Sequence, residues 1–166
     1  MNYGKIKPCD VANGEGVRVS LFVSGCPHKC KGCFNAELWN YDAGQDMTTT
    51  ELFEIINLGS KPYISGLSLL GGEPLDPQNL ITVTYIAQFF KRKFPHKTIW
   101  CYTGYEWERV KHLSIMRYID VLVDGKFVQD LADPRLRFRG SSNQRIIDVK
   151  KSLESKRMFL RKDLME

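Results

Sequence analysis

The chain has 166 residues, of which 24 are Lys or Arg and 19 are Asp or Glu, so its formal net charge is +5. This length suits one domain with a hydrophobic core and is too short for two ordinary domains. The small positive excess is weak evidence for nucleic-acid binding, and no nucleic-acid partner is predicted.

We predict one domain over residues 1–166, with a core from about residue 10 to 150 and a tail at 151–166. The N-terminus has no apolar signal region, and no run of about 18 apolar residues is present that would span a bilayer. We therefore expect a cytoplasmic protein with no membrane partner.

The first predicted core element is a strand from Val17 to Val23, which leads directly into a loop that holds three cysteines. A helix should follow this loop. Thr48 and Glu51 have the spacing of a capping box, and the apolar residues behind them recur at helical spacing. These apolar residues are Leu52, Phe53, Ile55 and Ile56.

A second apolar strand is predicted from Gly66 to Leu70, and it ends in a glycine-rich turn. Asp76 then caps a helix that Pro77 opens. The apolar face of this helix comprises Leu80, Val83, Ala87, Phe90 and Phe94. The elements predicted after it are strands at Thr98–Tyr102 and Ile119–Val123, a helical stretch with Trp107 and Val110, and a last strand at Ile146–Val149.

The alternation of strands and helices predicts an α/β fold with a mostly parallel sheet. Each core strand ends in a small or polar cluster, and the carboxyl edge of a parallel sheet is where such proteins place their sites. A complete eight-unit barrel needs about 250 residues. The chain should therefore form an open, curved, partial (β/α) barrel.

The most informative motif is Cys26-x-x-x-Cys30-x-x-Cys33 in the loop after the first strand. A structural zinc site has four protein ligands, and an electron-transfer cluster usually has four thiolates. Three thiolates leave one coordination position of a metal group open, which predicts chemistry at that position. The odd total of five cysteines favours a reducing compartment, and Cys101, inside an apolar strand, is interpreted as a buried bystander. No role is predicted for Cys9.

The alternative interpretation of the cysteines is a zinc knuckle completed by His28 or by a distant ligand. His28 lies between Cys26 and Cys30, within reach of a shared metal. No second cluster with zinc-type spacing occurs elsewhere in the chain, so this alternative is disfavoured.

The segment Asn13–Arg18 together with the cysteine motif resembles the start of the radical S-adenosylmethionine enzymes that activate glycyl-radical enzymes. Three later segments are similar to the branch of that family that acts on anaerobic ribonucleoside-triphosphate reductase. They are Tyr102–Tyr105, Asp120–Gly125 and Arg139–Arg145. The resemblance covers residues from about 10 to 148 and implies a radical S-adenosylmethionine domain.

This resemblance implies that Cys26, Cys30 and Cys33 ligate three irons of a [4Fe-4S] cluster and act in catalysis. S-adenosylmethionine would bind the fourth iron, and the partners would be the large subunit of the reductase and a reduced flavodoxin-type electron donor. Many family members have an aromatic residue directly before the third cysteine. This chain has Gly32 there and Phe34 after it, so Phe34 becomes the candidate for contact with the adenine.

The family pattern implies further S-adenosylmethionine contacts at the carboxyl edge. The backbone of Gly71 and Gly72 would meet the amino group, and Glu73 would orient the loop. The remaining candidates for cofactor binding are Gly32, Cys33, Thr103, Asp124 and Lys126. Residues 13–18 are interpreted either as a glycine turn with an exposed arginine or as a loop at the cluster mouth. Arg139–Arg145 is a candidate for partner docking or for closure over the site.

Two other functions remain open from the sequence. The first is a small radical S-adenosylmethionine enzyme with a small-molecule substrate, such as a pterin-derived precursor of deazaguanine. The second is a non-enzymatic metal module that binds a partner. The short chain offers little material for a dedicated substrate pocket, and the glycine-rich turns would have no purpose in a metal module, so both rank below the activase.

Overall fold

A mixed sheet of eight strands forms the centre of the protein, and the computed structural model describes residues 1–166. The order across the sheet is β3-β1-β2-β4-β5-β6-β7-β8. The strands are β1 (Asn2–Asp10), β2 (Val17–Val23), β3 (Gln45–Asp46), β4 (Ile64–Gly71), β5 (Thr98–Tyr102), β6 (Val121–Asp124), β7 (Arg145–Asp148) and β8 (Phe159–Leu160).

Five α-helices connect or flank these strands. They are α1 (Thr49–Gly59), α2 (Pro77–Lys93), α3 (Trp107–Val110), α4 (Val149–Ser155) and α5 (Lys162–Met165). The predicted starts of the two long helices are confirmed. Thr48 caps α1 in a capping box, and the Asp76 side chain accepts a hydrogen bond from Gln78 N at the start of α2.

The four central strands β2, β4, β5 and β6 are parallel, and the outer strands pair antiparallel. The predicted α/β class and the parallel centre are therefore confirmed, whereas the antiparallel margins were not foreseen. The sheet stays open and does not close into a barrel. No helix combines the length and the apolar character needed to cross a membrane.

One face of the sheet carries the main core. Side chains from alternate positions of the central strands pack against α1 and α2, and buried members include Leu21, Leu69, Ile99 and Phe90. Cys101 belongs to this core, as predicted for a bystander thiol. Phe53 was predicted to lie on the apolar face of α1, but it is 62% exposed. The apolar run at the start of α1 is longer than the stripe that the sheet covers.

The opposite face of the sheet carries both polar and large apolar side chains. Arg18, Ser20 and Phe22 alternate along β2, and the parallel register places Ser68, Leu70, Trp100 and Tyr102 beside them. The chain covers only part of this face. A loop with Leu38 packs on Phe22 and Leu70, and Leu164 of α5 packs against Trp100.

The last residues of the chain belong to the fold. β8 pairs with β7, and the Arg161 guanidinium forms an ion pair with Glu15 (3.2 Å). The side chain of Leu164 is 3% exposed. The segment 151–166, predicted as the tail of the single domain, therefore packs against the sheet.

Arg18 is buried at the amino-terminal half of β2, with 1% of its surface exposed. Its guanidinium donates to Ser68 Oγ (2.8 Å) and Thr98 O (2.8 Å), and it also reaches Glu15 O, Leu67 O and Thr98 Oγ1. Burial lowers its pKa to about 10. The interpretation of Arg18 as an exposed arginine is therefore wrong. Its buried side chain links β2, β4 and β5 to the loop at 13–15.

Candidate active site

The cysteine loop leaves the carboxyl end of β2 and returns to it through backbone hydrogen bonds. Gly25 N donates to Leu38 O (2.8 Å), and Cys26 N donates to Trp39 O (3.1 Å). Between these ends the chain curls, and Lys29 has a left-handed backbone with φ of +49°. The loop therefore presents Cys26, Cys30 and the residues between them at the carboxyl edge of the sheet.

Cys26, Cys30 and Cys33 are all free thiols of intermediate burial. Burial raises the pKa of Cys26 to about 11 and also raises the pKa of Cys30. The Lys126 charge and a hydrogen bond from the Phe127 backbone oppose this rise at Cys30. The three thiols are not gathered with other ligands into a preformed metal site. Metal ligation has to displace protons and draw the loop together, as it does in many thiolate sites.

A buried carboxylate fixes this loop to the neighbouring strands. Glu73 is 1% exposed, and each of its two oxygens has two partners. Oε1 accepts from Thr103 Oγ1 (2.8 Å) and Leu75 N (2.9 Å). Oε2 accepts from Gly104 N (2.8 Å) and lies 2.7 Å from Nε2 of His28. Glu73 therefore joins the end of β4, the end of β5 and the cysteine loop.

His28 has a structural partner on each side. Because the carboxylate only accepts hydrogen bonds, the proton of the imidazole is assigned to Nε2, which faces Glu73. The ring packs edge-on against Tyr105 at 4.6 Å between centroids, and a Cβ at position 104 would collide with it. Gly104 is therefore needed for close approach. The zinc interpretation placed His28 on the metal, whereas its Nε2 is occupied by Glu73.

Gly71 and Gly72 continue the end of β4 along the start of the cysteine loop. Gly72 N donates to Val23 O (2.7 Å), and a Cβ at Gly72 would lie 2.5 Å from Gly25 O. Glycine is needed here because the protein's own backbone approaches closely. The family pattern had instead suggested close contact with a ligand. Since a ligand amino group donates hydrogen bonds, it can pair only with the carbonyl groups of this segment.

These elements open into one cavity of about 610 Å³, a size within the usual range for small-molecule sites. All three motif cysteines line it. So do most of the other predicted cofactor contacts: Phe34, Gly71, Gly72, Glu73, Thr103 and Lys126. The sequence therefore predicted residues from four separate loops that the fold brings to one cavity.

Two predicted cofactor contacts lie outside that lining. Gly32 has φ of +75° and approaches the side chain of Gln129. Asp124 is 1% exposed, accepts from Trp107 N (2.7 Å) and forms an ion pair with Arg145 (2.6 Å). Its carboxylate stabilises the start of α3 and anchors Arg145, which explains why it does not reach the cavity.

Lys126 and Phe34 remain available to a ligand at the mouth of the cavity. Lys126 is exposed and has no carboxylate within ion-pair distance. Phe34 is 76% exposed and contacts Phe127 at 5.2 Å between ring centroids. Thr103 differs from both, since its hydroxyl is committed to Glu73.

The two arginines of the basic segment have partners within the protein. Arg139 donates to Ser142 O and Gln144 O, and it also reaches Met165 O (3.2 Å) at the C-terminal helix. Arg145 is paired with Asp124 and with Glu108 (3.0 Å). The cavity wall includes Arg139 but not Arg145. These contacts favour a role in shaping the wall over direct docking of a partner.

Sequence reasoning missed the links from Glu73 to His28 and to Thr103. These contacts join residues 45 and 30 positions apart, for which a single sequence has no local signal. Tyr102, the last residue of β5, lines the cavity.

The donor set fits an iron-sulfur cluster with one open iron. Three thiols within eight residues reach one cavity, and no fourth cysteine lines it. Thiolate ligands suit iron-sulfur clusters. The cavity beside them has room for an organic cofactor, with a cation at Lys126 and an exposed ring at Phe34.

Comparison with known proteins agrees with this chemistry. Residues 12–147 match the family described as "4Fe-4S single cluster domain". The chain is 47% identical over 146 residues to the anaerobic ribonucleoside-triphosphate reductase-activating protein of Enterobacteria phage T4, a match covering 88% of this chain and 93% of the relative. It is 45% identical over 148 residues to the protein of the same name from Escherichia coli K12, covering 87% and 96%. The Haemophilus influenzae protein of that name is 47% identical with the same coverage.

Proposed function

The chain belongs to the family of anaerobic ribonucleoside-triphosphate reductase-activating proteins, and from this we propose that it generates the glycyl radical on the large subunit of such a reductase. The activase role and an iron-sulfur domain follow from the family. The radical S-adenosylmethionine mechanism, the three-cysteine ligation and the partner are the proposal. The open sheet is then a partial barrel of the radical S-adenosylmethionine type.

The observation that supports the proposal most is the shared cavity. Cys26, Cys30 and Cys33 reach the same 610 Å³ space as the backbone of Gly71 and Gly72. Cys26, Cys30 and Cys33 would hold a [4Fe-4S] cluster there, and the reduced cluster would supply the one electron needed to cleave S-adenosylmethionine to methionine and a 5′-deoxyadenosyl radical, the group that would take a hydrogen atom from the partner's glycine. A reduced flavodoxin-type protein is the proposed electron donor.

The residues of the chain bind and position the reactants. The three thiolates hold the cluster, and the Glu73 network keeps the loop between Cys26 and Cys30 at a fixed distance from the ends of β4 and β5. The carbonyl groups of Gly71–Glu73 can accept from the amino group of the cofactor. Leu70, Phe127 and Phe138 line the same cavity and limit the access of water to it.

Lys126 is proposed to bind the carboxylate of S-adenosylmethionine. It is the exposed, unpaired cation of the cavity lining, and an ammonium–carboxylate hydrogen bond is stronger than a neutral one. In Lys126→Ala we expect S-adenosylmethionine to bind about tenfold more weakly to the cluster-loaded protein, measured by calorimetry without oxygen. Lys156→Ala, at an exposed position after α4, is the control and should bind normally. If Lys126→Ala bound S-adenosylmethionine as tightly as Lys156→Ala does, Lys126 would not be part of the binding site.

The direct test of the function is the transfer of the radical to the partner. The reconstituted protein, reductant, S-adenosylmethionine and the reductase large subunit should together give a glycyl-radical signal in electron paramagnetic resonance. Omission of S-adenosylmethionine should abolish the signal. Turnover of a small molecule with no radical on the reductase would instead favour an enzyme with a small-molecule substrate.

A further inference from the structure

The cysteine loop has an inner face towards the cavity and an outer face towards solvent. Its residues alternate between the two faces. Cys26, His28 and Cys30 line the cavity, whereas Pro27 and Lys29 between them are exposed and do not line it. Consecutive Cα atoms of a chain lie only about 3.8 Å apart. A molecule in contact with the outer face is therefore one residue away from the proposed cluster ligands.

The second half of the loop repeats this arrangement in a tight turn. Cys33 N donates to Cys30 O (3.2 Å), and Gly32 between them has φ of +75°, as the third residue of a type II turn requires. Lys31 and Gly32 are exposed and do not line the cavity. Lys31 therefore lies at the corner of a turn whose two ends are proposed cluster ligands.

The two lysines of the outer face have no counter-ion in the protein. Neither Lys29 nor Lys31 has a carboxylate within ion-pair distance. Residues 16–36 contain no Asp or Glu. Asp130 follows Gln129, whose side chain contacts the loop, but it pairs with neither lysine. The outer face therefore presents two free positive charges to solvent.

We propose that the outer face of the cysteine loop, formed by Pro27, Lys29, Lys31 and Gly32, is the docking surface for an acidic one-electron carrier protein. This inference rests on the proposed function, which requires one electron from outside for each cleavage of S-adenosylmethionine. In the transfer the reduced carrier loses one electron and the oxidised cluster gains it. The electron is all that passes between the two proteins, and no bond between them forms or breaks.

The cavity side of the loop is closed to such a carrier. A space of about 610 Å³ holds a small molecule and not a folded protein. Under the proposed function, S-adenosylmethionine and the glycine-bearing segment of the reductase occupy this space. Electron transfer slows steeply with distance, so a carrier that stays outside has to approach the ligands through the loop. The outer face provides this approach.

The charge of the outer face matches an acidic carrier. Three thiolates outweigh the positive charge of an oxidised [4Fe-4S] core, so the loaded site is negative and would repel an acidic protein. Lys29 and Lys31 lie on the solvent side of this site and reverse the sign of the surface that the carrier meets. Complementary charges speed association and fix the orientation of the partner, and salt weakens both effects.

The test compares the double variant Lys29→Gln/Lys31→Gln with wild type and with a matched control, Lys61→Gln/Lys156→Gln. Each variant loses two positive charges, and Lys29 and Lys156 both have a left-handed backbone, with φ of +49° and +58°. Lys61 and Lys156 are exposed, make no ion pair and lie outside the cysteine loop. The control therefore matches the test variant in charge and in backbone conformation.

The probe is a flavodoxin of strongly negative net charge. The affinity of oxidised flavodoxin for the cluster-loaded protein is measured first, because no electron is then transferred. The rate of cluster reduction is measured next, with reduced flavodoxin and with photoreduced 5-deazariboflavin, a small uncharged reductant. Radical transfer to the reductase is measured last, with 5-deazariboflavin as the reductant.

At low ionic strength we expect Lys29→Gln/Lys31→Gln to bind flavodoxin about tenfold more weakly and to be reduced by it about tenfold more slowly. High salt should remove both differences, because it screens exposed charges. Reduction by 5-deazariboflavin and the radical transfer that follows should match wild type, since a small uncharged molecule needs no docking surface. The control variant should behave as wild type in every measurement.

Three results would overturn the assignment. If flavodoxin bound wild type and the Lys29→Gln/Lys31→Gln variant equally, or bound neither, the outer face would not be its docking surface. An equal loss of rate with flavodoxin and with 5-deazariboflavin would show that the lysines act on the cluster itself. Normal flavodoxin binding with weaker radical transfer would assign the surface to the reductase instead.

The failure of the proposed function looks different. Wild type with a cluster reduced by either reductant would then place no radical on the reductase. The comparison of flavodoxin binding between the two double variants would still decide whether the outer face is a docking surface. A wild-type protein that assembled no cluster would reject both proposals.

Discussion

Cys30→Ala is expected to prevent assembly of the iron-sulfur cluster and to abolish cleavage of S-adenosylmethionine. Cys30 lines the cavity between the other two motif cysteines in sequence, and no other free thiol lies in the cavity lining to replace it. Two thiolates cannot hold a cluster that requires three. We expect activity to fall by about a thousandfold or more, the scale seen when an essential group is lost. Iron and sulfide content after anaerobic reconstitution, with product analysis, checks this.

The matched control is Cys9→Ala. Cys9 is an exposed thiol on β1, outside the cavity lining. This variant should take up iron and sulfide as wild type does and keep full activity. If Cys30→Ala retained a cluster, or if Cys9→Ala lost it, the proposed ligand set of Cys26, Cys30 and Cys33 would be incorrect.

Glu73→Gln is expected to destabilise the protein and to loosen the cysteine loop. Each oxygen of Glu73 faces one backbone N–H, from Leu75 at Oε1 and from Gly104 at Oε2. The amide nitrogen of glutamine has to replace one of these oxygens, and in either orientation it meets a backbone donor that cannot turn away. Rotation of the Thr103 hydroxyl or a change of tautomer at His28 does not relieve this conflict. We expect the free energy of unfolding to fall by about 2–3 kcal/mol.

The measurement is chemical denaturation of the cluster-free protein, which separates stability from cofactor loading. Glu154→Gln serves as control, because Glu154 is exposed on α4 and makes no ion pair. That variant should change the free energy of unfolding by less than about 0.5 kcal/mol. Comparable stability of Glu73→Gln and wild type would mean that the Glu73 network does not support the loop.

Much of the centre of the fold could be predicted from local patterns. The bounds predicted for β2 and β5 agree with the structure, because each is a compact apolar run bordered by glycine or polar residues. The starts of α1 and α2 followed from side-chain capping, which is also local. The fourth strand was placed too early: Ile119 and Asp120 precede β6. The Asp120 carboxylate accepts from Ile99 N (2.8 Å) and pairs with Lys91 (2.6 Å).

The margins of the sheet could not be predicted in the same way. β1 contains charged residues, a glycine and Pro8, and its antiparallel pairing with β2 and β3 makes it a strand. β8 has two residues, which is too short for any periodic signal. The packing of Leu164 against Trp100 joins residues 64 positions apart, so the sequence has no local signal for where the C-terminal segment packs.

In the candidate site, too, some features have a local sequence signal and others depend on contacts between distant residues. The spacing of the three cysteines and the glycine-rich end of β4 are short-range features, and the sequence indicated both. The roles of His28 and Glu73 depend on a hydrogen bond across 45 positions. The structure therefore assigns to the loop's histidine a supporting contact that the motif alone did not reveal.

The measurement that tests the central claim most directly is electron paramagnetic resonance of the reconstituted, reduced protein before and after addition of S-adenosylmethionine. The account predicts a [4Fe-4S] signal whose g values change when S-adenosylmethionine binds the open iron. A protein that takes up zinc and forms no cluster, or a cluster signal that S-adenosylmethionine leaves unchanged, would contradict it.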